Sequence, residues 1–315
     1  MIEAVFNGVL PVAFVIALGW MAGWFKLLKH EDAGVLAVLV IRFALPLALF
    51  EGAIRTAPSK LSNLGFVGCL TLGLMGSYLL ALVLGRVVFK HDLRTAIMQA
   101  LVCGYPDMAY FGAPILAAMF GASGFLAVLV GNLITSIVMI PLTMILFRVS
   151  GKREAGHGWE DAAHILGSSL VNALKSPIVF LPLAGIILSF AHVTLPGPVL
   201  ASVDQIAKAA GGVSLFALGL MLYGEKISVN REIVFNIGLK NFVQPALMVL
   251  GTFIFGLKGE LASQVLITGA VPTATAAAMF ALRNKVYTAE ATSTIFISTV
   301  LGLFTEALLI AFLRT

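Results

Sequence analysis

The sequence predicts an all-α membrane protein with ten transmembrane helices, arranged as two inverted repeats of five helices each. Hydrophobic residues make up 60% of the 315-residue chain and charged residues 11%, whereas a soluble domain carries about a quarter charged residues. The apolar runs are long enough to cross a bilayer, at about 20 residues per crossing. Two of these runs are interrupted by a proline in a polar setting, at matching places in the two halves of the chain.

The order of the apolar runs predicts how the chain is organised. The ten predicted spans are 5–25, 33–54, 65–88, 95–119, 124–147, 174–191, 198–223, 238–257, 260–282 and 289–312. One long polar stretch separates five spans from five, which predicts a first repeat at 1–149, a cytoplasmic loop at 150–164 and a second repeat at 165–315. The segments 160–174 and 227–238 are predicted to form short amphipathic helices at the membrane surface.

The distribution of basic residues predicts the orientation. The odd-numbered connections carry twelve Lys and Arg residues, whereas the even-numbered connections and both termini carry four. Because basic loops remain in the cytoplasm, we expect a multi-pass protein of the cell inner (plasma) membrane with both termini outside, in the periplasm. An odd number of spans per half then inserts the second half upside down relative to the first, which predicts inverted repeats.

The two interruptions lie in the fourth and ninth spans, at 104–107 and 269–273. Pro106 and Pro272 each remove a backbone donor and clash with the preceding turn, so neither span is expected to be one unbroken helix. Freed carbonyl groups survive in a bilayer only where protein or a watery cavity surrounds them. Paired broken spans indicate the midplane site of a secondary transporter.

The chemistry of the breaks favours an anionic substrate. Each half-helix that begins at a break presents unpaired N–H groups and the positive end of its dipole, and both features attract carboxylates. The sequence therefore predicts a carrier of small organic anions rather than an enzyme, with neither a cofactor nor a metal site. The other expected partners are the lipid bilayer and a second copy of the chain in a homodimer, and no basic and aromatic stretch indicates nucleic-acid binding.

Asp107 is the most informative candidate residue. An acid near the middle of a bilayer costs about 2.5–3.5 kcal/mol on insertion scales, so we expect it to face a cavity or a partner. Two compatible interpretations remain open: a group that carries a proton or orients the substrate, and an N-cap of the half-helix that follows Pro106. Thr273 and Thr275 hold the matching place after Pro272 and are expected to cap a half-helix or bind a carboxylate.

Other polar residues inside the spans have a functional and a plainer interpretation. Arg42 is a candidate counter-charge for the substrate, or a side chain that snorkels or pairs structurally. Asn132 either lines the path or stabilises helix packing. Lys240 is assigned to a span end, where an interface position or an ion pair explains it, and Glu306 is a candidate coupling group deeper in the last span.

The residues around the first break resemble a known family. Residues 105–116, YPDMAYFGAPIL, are similar to the fourth-span pattern Pro-Asn-x-x-x-(Met/Phe)-Gly-x-Pro-(Leu/Ile) of the auxin efflux carrier family. Val271-Pro272-Thr273 resembles the ninth-span crossover proline of that family, and residues 287–305 resemble its tenth span. The family includes plant auxin exporters and bacterial carriers of malonate and malate, and the resemblance covers essentially the whole chain.

The resemblance implies a fold in which the broken fourth and ninth helices cross. Spans 1, 2, 6 and 7 would form a scaffold, and spans 3–5 and 8–10 a unit that moves by an elevator-type mechanism, often in a homodimer. Asp107 stands where the family usually has asparagine. Because an ionised carboxylate would repel an anionic substrate, this departure favours an Asp107 that is protonated or neutralised by a cation, with a proton or sodium as the candidate coupling ion.

The predicted function is therefore alternating-access transport of malonate-like carboxylates, with Asp107 as the predicted coupling residue. The alternatives are a carrier of auxin-like aromatic carboxylates, an anion channel or uniporter, and a membrane enzyme acting on lipids. A channel needs an open file of polar residues or a charged ring, whereas the polar positions here are sparse. The predicted substrate-binding residues are Pro106, Asp107, Met108, Tyr110, Asn132, Pro272, Thr273, Thr275 and Arg42.

Overall fold

The structure is a computed structural model that describes residues 2–56, 58–151, 158–225 and 227–313, and every regular element within these ranges is helical. Part of the predicted cytoplasmic loop lies outside the described residues. So do four of the basic residues on which the predicted orientation rests, namely Lys152, Arg153, Lys226 and Arg314.

The described residues of the first half form six main helices. They are α1 (Ile2–Trp24), α2 (Asp32–Arg55), α3 (Leu64–Val87), α4 (Leu93–Gly104), α5 (Met108–Gly112 continued by Ala113–Phe120) and α6 (Phe125–Ile134, Thr135–Met139 and Ile140–Gly151). Two short segments connect them: the single turn Pro58–Leu61 lies between α2 and α3, and the 3-10 turn Gly121–Gly124 lies between α5 and α6.

The described residues of the second half form seven helices. They are α7 (Gly158–Lys175), α8 (Pro177–Phe190), α9 (Gly197–Leu222), α10 (Arg231–Ile254), α11 (Gly259–Ala270), α12 (Thr275–Asn284) and α13 (Thr288–Leu313). Within the described part of the chain, six helices are long and apolar enough to cross a membrane, with Met108–Ser150 (α5, the 3-10 turn and α6) counted as one. There are seven if α7 and α8, bent by 69° at their junction, are one span. The apolar part of α1 and the whole of α4 are shorter. A multi-pass membrane protein is therefore the observed class, and the count of ten spans stays a prediction.

Two segments differ from the sequence prediction. Residues 158–164, predicted as loop, are the first turns of α7, a helix that includes the amphipathic segment predicted at 160–174. The separate interfacial helix predicted at 227–238 is wrong, because α10 begins at Arg231 and continues without interruption into the predicted eighth span. The side-chain oxygen of Asn230 accepts a hydrogen bond from the Ile233 N–H at 2.8 Å and so caps this earlier helix start.

Among the described residues, four helices contain a π turn, and each of these turns is followed by a proline. Proline has no N–H to donate, and its ring clashes with the carbonyl group four residues earlier. A widened turn just before the proline keeps the helix continuous, although one backbone hydrogen bond of the helix is lost. The π turns are Val40–Ala44 before Pro46, Met108–Gly112 before Pro114, Thr135–Met139 before Pro141, and Leu239–Val243 before Pro245.

Two pairs of helices set up the packing around the breaks. α1 packs along α9, and a Cβ atom added to Gly19 would lie 2.0 Å from the carbonyl oxygen of Phe216. A Cβ added to Gly219 would lie 1.9 Å from the carbonyl oxygen of Ile16. Only glycine allows the two backbones to approach this closely, as is common between membrane helices. α2 packs against α8 in the same part of the molecule.

Both predicted breaks are present, and they contact each other. The chain is extended at 105–107, between α4 and α5, and again at 271–274, between α11 and α12. Pro106 and Thr273 form an antiparallel β-bridge at the crossing. The hydrogen bonds of the bridge join Asp107 N–H to Pro272 C=O (2.8 Å) and Ala274 N–H to Tyr105 C=O (2.9 Å). Each break thus supplies hydrogen-bond partners for backbone N–H and C=O groups that the other break leaves unpaired. Inside a membrane such groups need partners within the protein.

Candidate functional site

Asp107 lies at the crossing with 3% of its surface exposed. Its Oδ1 accepts a hydrogen bond from the Tyr110 N–H at 3.0 Å, so the predicted N-cap of α5 is confirmed. The carboxylate also interacts with the backbone N–H of Thr275, the first residue of α12. Its Oδ2 has no hydrogen-bond partner within the described residues. The two helix starts that were predicted to hold a substrate carboxylate therefore both face a carboxylate of the chain itself.

The two threonines of the second break have different surroundings. Thr273 is fully buried, and its hydroxyl donates to the carbonyl oxygen of Val102 at 3.0 Å, near the end of α4. Its N–H donates to the Ser298 hydroxyl of α13 at 3.1 Å. Neither Thr273 nor Thr275 caps α12 with its side chain, because the N-cap residue is Ala274 and no side-chain cap is formed. Thr273 therefore holds the crossing together through its hydroxyl and its amide.

Lys240 is a site residue that sequence reasoning placed wrongly. Because α10 begins at Arg231, Lys240 lies more than two turns inside the helix, in a π turn, and is fully buried. Its Nζ donates to Oε1 of Gln244. The Gln244 amide in turn donates to the carbonyl oxygen of Gly104, at the end of α4, at 3.1 Å. Lys240 and Asp107 lie within electrostatic range of each other but farther apart than a direct ion pair.

A chain of buried amides continues from Lys240 along α10. Asn236 accepts a hydrogen bond from Gln99 of α4 at 3.0 Å and donates to the Tyr287 hydroxyl at 3.0 Å and to the Thr294 hydroxyl at 3.2 Å. These bonds tie α4, α10 and α13 together beside the crossing. The sequence does carry a signal for this cluster, since positions 236, 240 and 244 are polar and recur every four residues, on one face of the helix.

Three other predicted residues lie beside the crossing. Met108 is buried and packs against Gly131 of α6, where an added Cβ would lie 2.9 Å from the Met108 methyl carbon. Asn132 follows Gly131, is 8% exposed, and its Nδ2 has no hydrogen-bond partner within the described residues. Tyr110 is buried one turn after Asp107. The structure therefore groups the predicted residues of the fourth and fifth spans around the first break.

Arg42 and Glu306 lie apart from this group. Arg42 is exposed on α2, and no described hydrogen bond or ion pair joins it to the crossing. Glu306 is fully buried in α13, and neither of its carboxylate oxygens has a hydrogen-bond partner within the described residues. It lies one turn beyond Gly302, where an added Cβ would lie 3.4 Å from the Pro272 side chain. Glu306 is therefore a second buried acid close to the second break.

A cavity of about 320 Å³ extends along α12 as far as Thr275, the residue that follows the second break. It lies between the end of α9, the exposed face of α12 and the first turns of α13, and its inner limit is Thr275. His30 and Glu225 stand at the other end, with 3.9 Å between His30 Nε2 and Glu225 Oε1. The cavity therefore leads from the connections α1–α2 and α9–α10 to the start of α12, where the Thr275 amide faces Asp107.

The opposite end of α11 is tied to its neighbours. Glu260 pairs with Lys60 at 3.1 Å and accepts a hydrogen bond from Gln264 at 3.0 Å. The Gln264 amide also donates to the carbonyl oxygen of Ser123 at 3.1 Å, in the turn between α5 and α6. These bonds join three connections that the basic-residue count predicts to lie outside. The cavity and the bonded cluster are thus at opposite ends of the broken helices.

Comparison with known proteins gives matches along nearly the whole chain. The family model described as "Membrane transport protein" matches residues 4–310. The chain is similar to the uncharacterized transporter YfdV of Escherichia coli (strain K12), with 28% identity over 95% of this chain and 94% of that protein. It is also similar to a putative malonate transporter of Rhizobium meliloti (strain 1021), with 24% identity over 98% and 95% of the two chains. Auxin efflux carrier component 5 of Arabidopsis thaliana is 22% identical over 88% of this chain and 87% of its own.

Proposed function

Because the chain belongs to the auxin efflux carrier family of membrane transport proteins, we propose that it is a secondary active transporter of small organic anions. The family consists of membrane transporters and not of enzymes. The observation that carries the proposal is the crossing of two broken helices around Asp107, with a cavity that ends at Thr275. Broken helices that meet in the middle of a membrane are the binding element of many secondary transporters.

The proposed architecture is the ten-span fold of two inverted repeats, 1–149 and 165–315, in the inner membrane with both termini in the periplasm. In the proposed elevator-type cycle, α3–α6 and α10–α13 move against a scaffold of α1, α2, α8 and α9. The Gly19–Gly219 contact supports a rigid scaffold, because it holds α1 against α9. The position of the cavity, between α9 of the scaffold and α12 and α13 of the moving unit, supports a substrate path along this boundary.

The proposed coupling follows from the position of the Asp107 carboxylate. The Tyr110 and Thr275 amides, at the starts of α5 and α12, both face it. An ionised Asp107 competes with a substrate carboxylate for these two amides and repels it. A proton on Asp107 removes the negative charge, and the positive ends of the two helix dipoles then attract the substrate. Proton and anion would bind together, which is the arrangement of a symporter.

We propose malonate or a dicarboxylate of similar size as the substrate. The putative malonate transporter to which the chain is similar supports this choice. The buried Lys240 also supports an anion, because its ammonium lies within electrostatic range of the crossing. Lys240 provides the positive charge that a second carboxylate of the substrate requires, and burial makes such an attraction stronger than it is in water.

The test is counterflow in proteoliposomes that contain the purified transporter. Liposomes loaded with unlabelled malonate are expected to accumulate labelled malonate transiently, faster at low pH than at high pH. In a channel, substrate on the opposite side of the membrane does not accelerate uptake of the labelled substrate. An absence of this acceleration would therefore exclude a carrier.

In Asp107→Asn the cap of α5 is retained, since the asparagine side chain also accepts a hydrogen bond from the Tyr110 N–H. Exchange is expected to persist without its pH dependence, and an unchanged pH dependence would contradict the coupling role of Asp107.

A further inference from the structure

A second cavity, of about 340 Å³, lies on the other side of α12. It is formed by the start of α4, the C-terminal part of α6 and the end of α12, which contribute Arg94, Arg148 and Arg283. Residues 275, 278, 279 and 282 of α12 line the cavity that leads to the crossing, whereas residues 280, 283 and 284 line this one. α12 therefore separates the two cavities, and the arginine cavity is not part of the proposed substrate path.

The described lining of this cavity carries positive charge. It includes Arg94 and Arg283, and no acid is among the described lining residues. The guanidinium carbon of Arg94 lies 5.7 Å from the centre of the Phe147 ring, within the range of a cation–π contact. A guanidinium donates two parallel hydrogen bonds to a phosphate or carboxylate. The cavity therefore matches an oxyanion.

The same cavity has an apolar side that opens toward the surface of α6. Met144 lines the cavity and is 43% exposed, and Val138, further along α6, is 44% exposed. Phe280 of α12 forms part of the wall. Since α6 is a predicted membrane span, we expect its exposed apolar side chains here to face the hydrocarbon of the bilayer. A basic pocket that continues into an apolar surface has the shape and polarity of a phospholipid site.

We propose that the arginine cavity binds the phosphate of an anionic phospholipid whose acyl chains lie along α6. The cavity lies at the end of the molecule where the odd-numbered, basic connections are found. In the predicted orientation this end lies at the cytoplasmic face of the membrane, which carries anionic lipid. All three arginines are on helices of the proposed moving unit. A lipid bound there travels with that unit and does not bridge it to the scaffold.

The experiment measures the thermal unfolding of the purified protein in detergent during titration with phosphatidylglycerol or phosphatidylcholine. Phosphatidylglycerol is expected to stabilise the wild type at lower concentration than phosphatidylcholine. In Arg94→Gln/Arg283→Gln the apparent affinity of the protein for phosphatidylglycerol is expected to fall by about 30-fold. Each basic residue near a lipid surface contributes about a factor of five to this affinity. Arg94→Lys/Arg283→Lys keeps the charges and is expected to retain much of the preference, which separates a loss of binding from a loss of folding.

The matched control is Arg55→Gln/Lys258→Gln, which removes two exposed charges from the opposite end of the molecule. This control is expected to keep the response of the wild type to phosphatidylglycerol. An equal loss of affinity in the control, or none in Arg94→Gln/Arg283→Gln, would overturn the proposal. So would stabilisation of the wild type by inorganic phosphate at the concentration that saturates the lipid effect, because the cavity would then be a site for soluble anions.

Discussion

Asp107 and Lys240 are both buried beside the crossing, and neither forms a direct ion pair within the described residues. A buried charge is costly unless another charge or several dipoles compensate it. Asp107 has the amides of Tyr110 and Thr275, and Lys240 has the side-chain oxygen of Gln244. Each charge also lies in the field of the other, so the two residues are expected to depend on each other energetically.

This dependence predicts the behaviour of Lys240→Gln. Without the Lys240 ammonium, the negative charges of Asp107 and of the substrate are uncompensated. The KM for malonate uptake is therefore expected to rise by about tenfold or more, an effect of the size measured for interacting buried residues. In Asp107→Asn/Lys240→Gln both charges are absent, so the KM is expected to return part of the way toward the wild-type value. Initial rates of uptake in proteoliposomes measure both variants.

Lys208→Gln is the control for the loss of a positive charge. Lys208 is an exposed lysine that pairs with Asp204 at 2.5 Å, as its spacing on α9 predicts, and lies away from the crossing. The KM of Lys208→Gln for malonate uptake is expected to equal that of the wild type. A KM that stays unchanged in Lys240→Gln would show that Lys240 has a purely structural role.

At the scale of helices, the contact of α1 with α9 depends on glycine at two places. In Gly219→Ala the new Cβ would overlap the Ile16 carbonyl oxygen, and the two helices must separate. We expect a loss of about 1–3 kcal/mol in the free energy of unfolding, as for other overpacked cores. Thermal unfolding in detergent measures this change.

Gly212→Ala is the matched control in the same helix, because an added Cβ there meets no atom within 4 Å. Alanine is about 1 kcal/mol more favourable than glycine inside a helix, so this variant is expected to be as stable as the wild type or more stable. If Gly219→Ala matched Gly212→Ala in stability, the close contact would not limit the approach of α1 and α9.

The sequence predicted the helix breaks but not the turns that widen the helices. Pro106 and Pro272 lie in polar settings at matching places, and that pattern was sufficient to predict both interruptions. Pro46, Pro114 and Pro141 lie in mainly apolar runs, and at these prolines as at Pro245 a π turn absorbs the missing hydrogen bond without breaking the span. A hydropathy pattern therefore carries no signal for these turns.

The candidate site was predicted in part for a related reason. Asp107, Thr273 and Met108 are recognisable because they adjoin the breaks. Lys240 and Gln244 were missed because Arg231 and Glu232 lower the hydropathy at the start of α10, which moved the predicted span toward its C-terminal side. The hydrogen bond from Gln244 to Gly104 joins residues 140 positions apart, and one sequence does not reveal such a partner.

At the scale of the whole molecule, the two ends of the broken helices differ in access. One end has a cavity that extends inward to Thr275, and the other has Glu260 bonded to Lys60 and to Gln264. In the predicted orientation the open end is cytoplasmic. For the proposed carrier, this arrangement corresponds to the inward-facing state of an alternating-access cycle.

This access predicts a one-sided labelling pattern. Thr275→Cys is expected to react with a membrane-impermeant thiol reagent in inside-out vesicles and to be protected in right-side-out vesicles. Both native cysteines, Cys69 and Cys103, are buried, so the wild type is expected to give little background. Thr268→Cys, at a fully buried position of α11, is expected to remain unlabelled on either side. Faster labelling of Thr275→Cys in right-side-out vesicles would contradict the assigned access.

The β-bridge at Pro106 and Thr273 has a consequence for the way such a carrier diversifies. Both of its hydrogen bonds use main-chain atoms only, so the bridge imposes little on the side chains that project from it. A substitution at position 107 or 275 therefore changes the chemistry offered to a solute while the frame that presents it persists. Selectivity can therefore drift beside the bridge while its main chain is retained, whereas Thr273, whose hydroxyl also holds the crossing, is constrained.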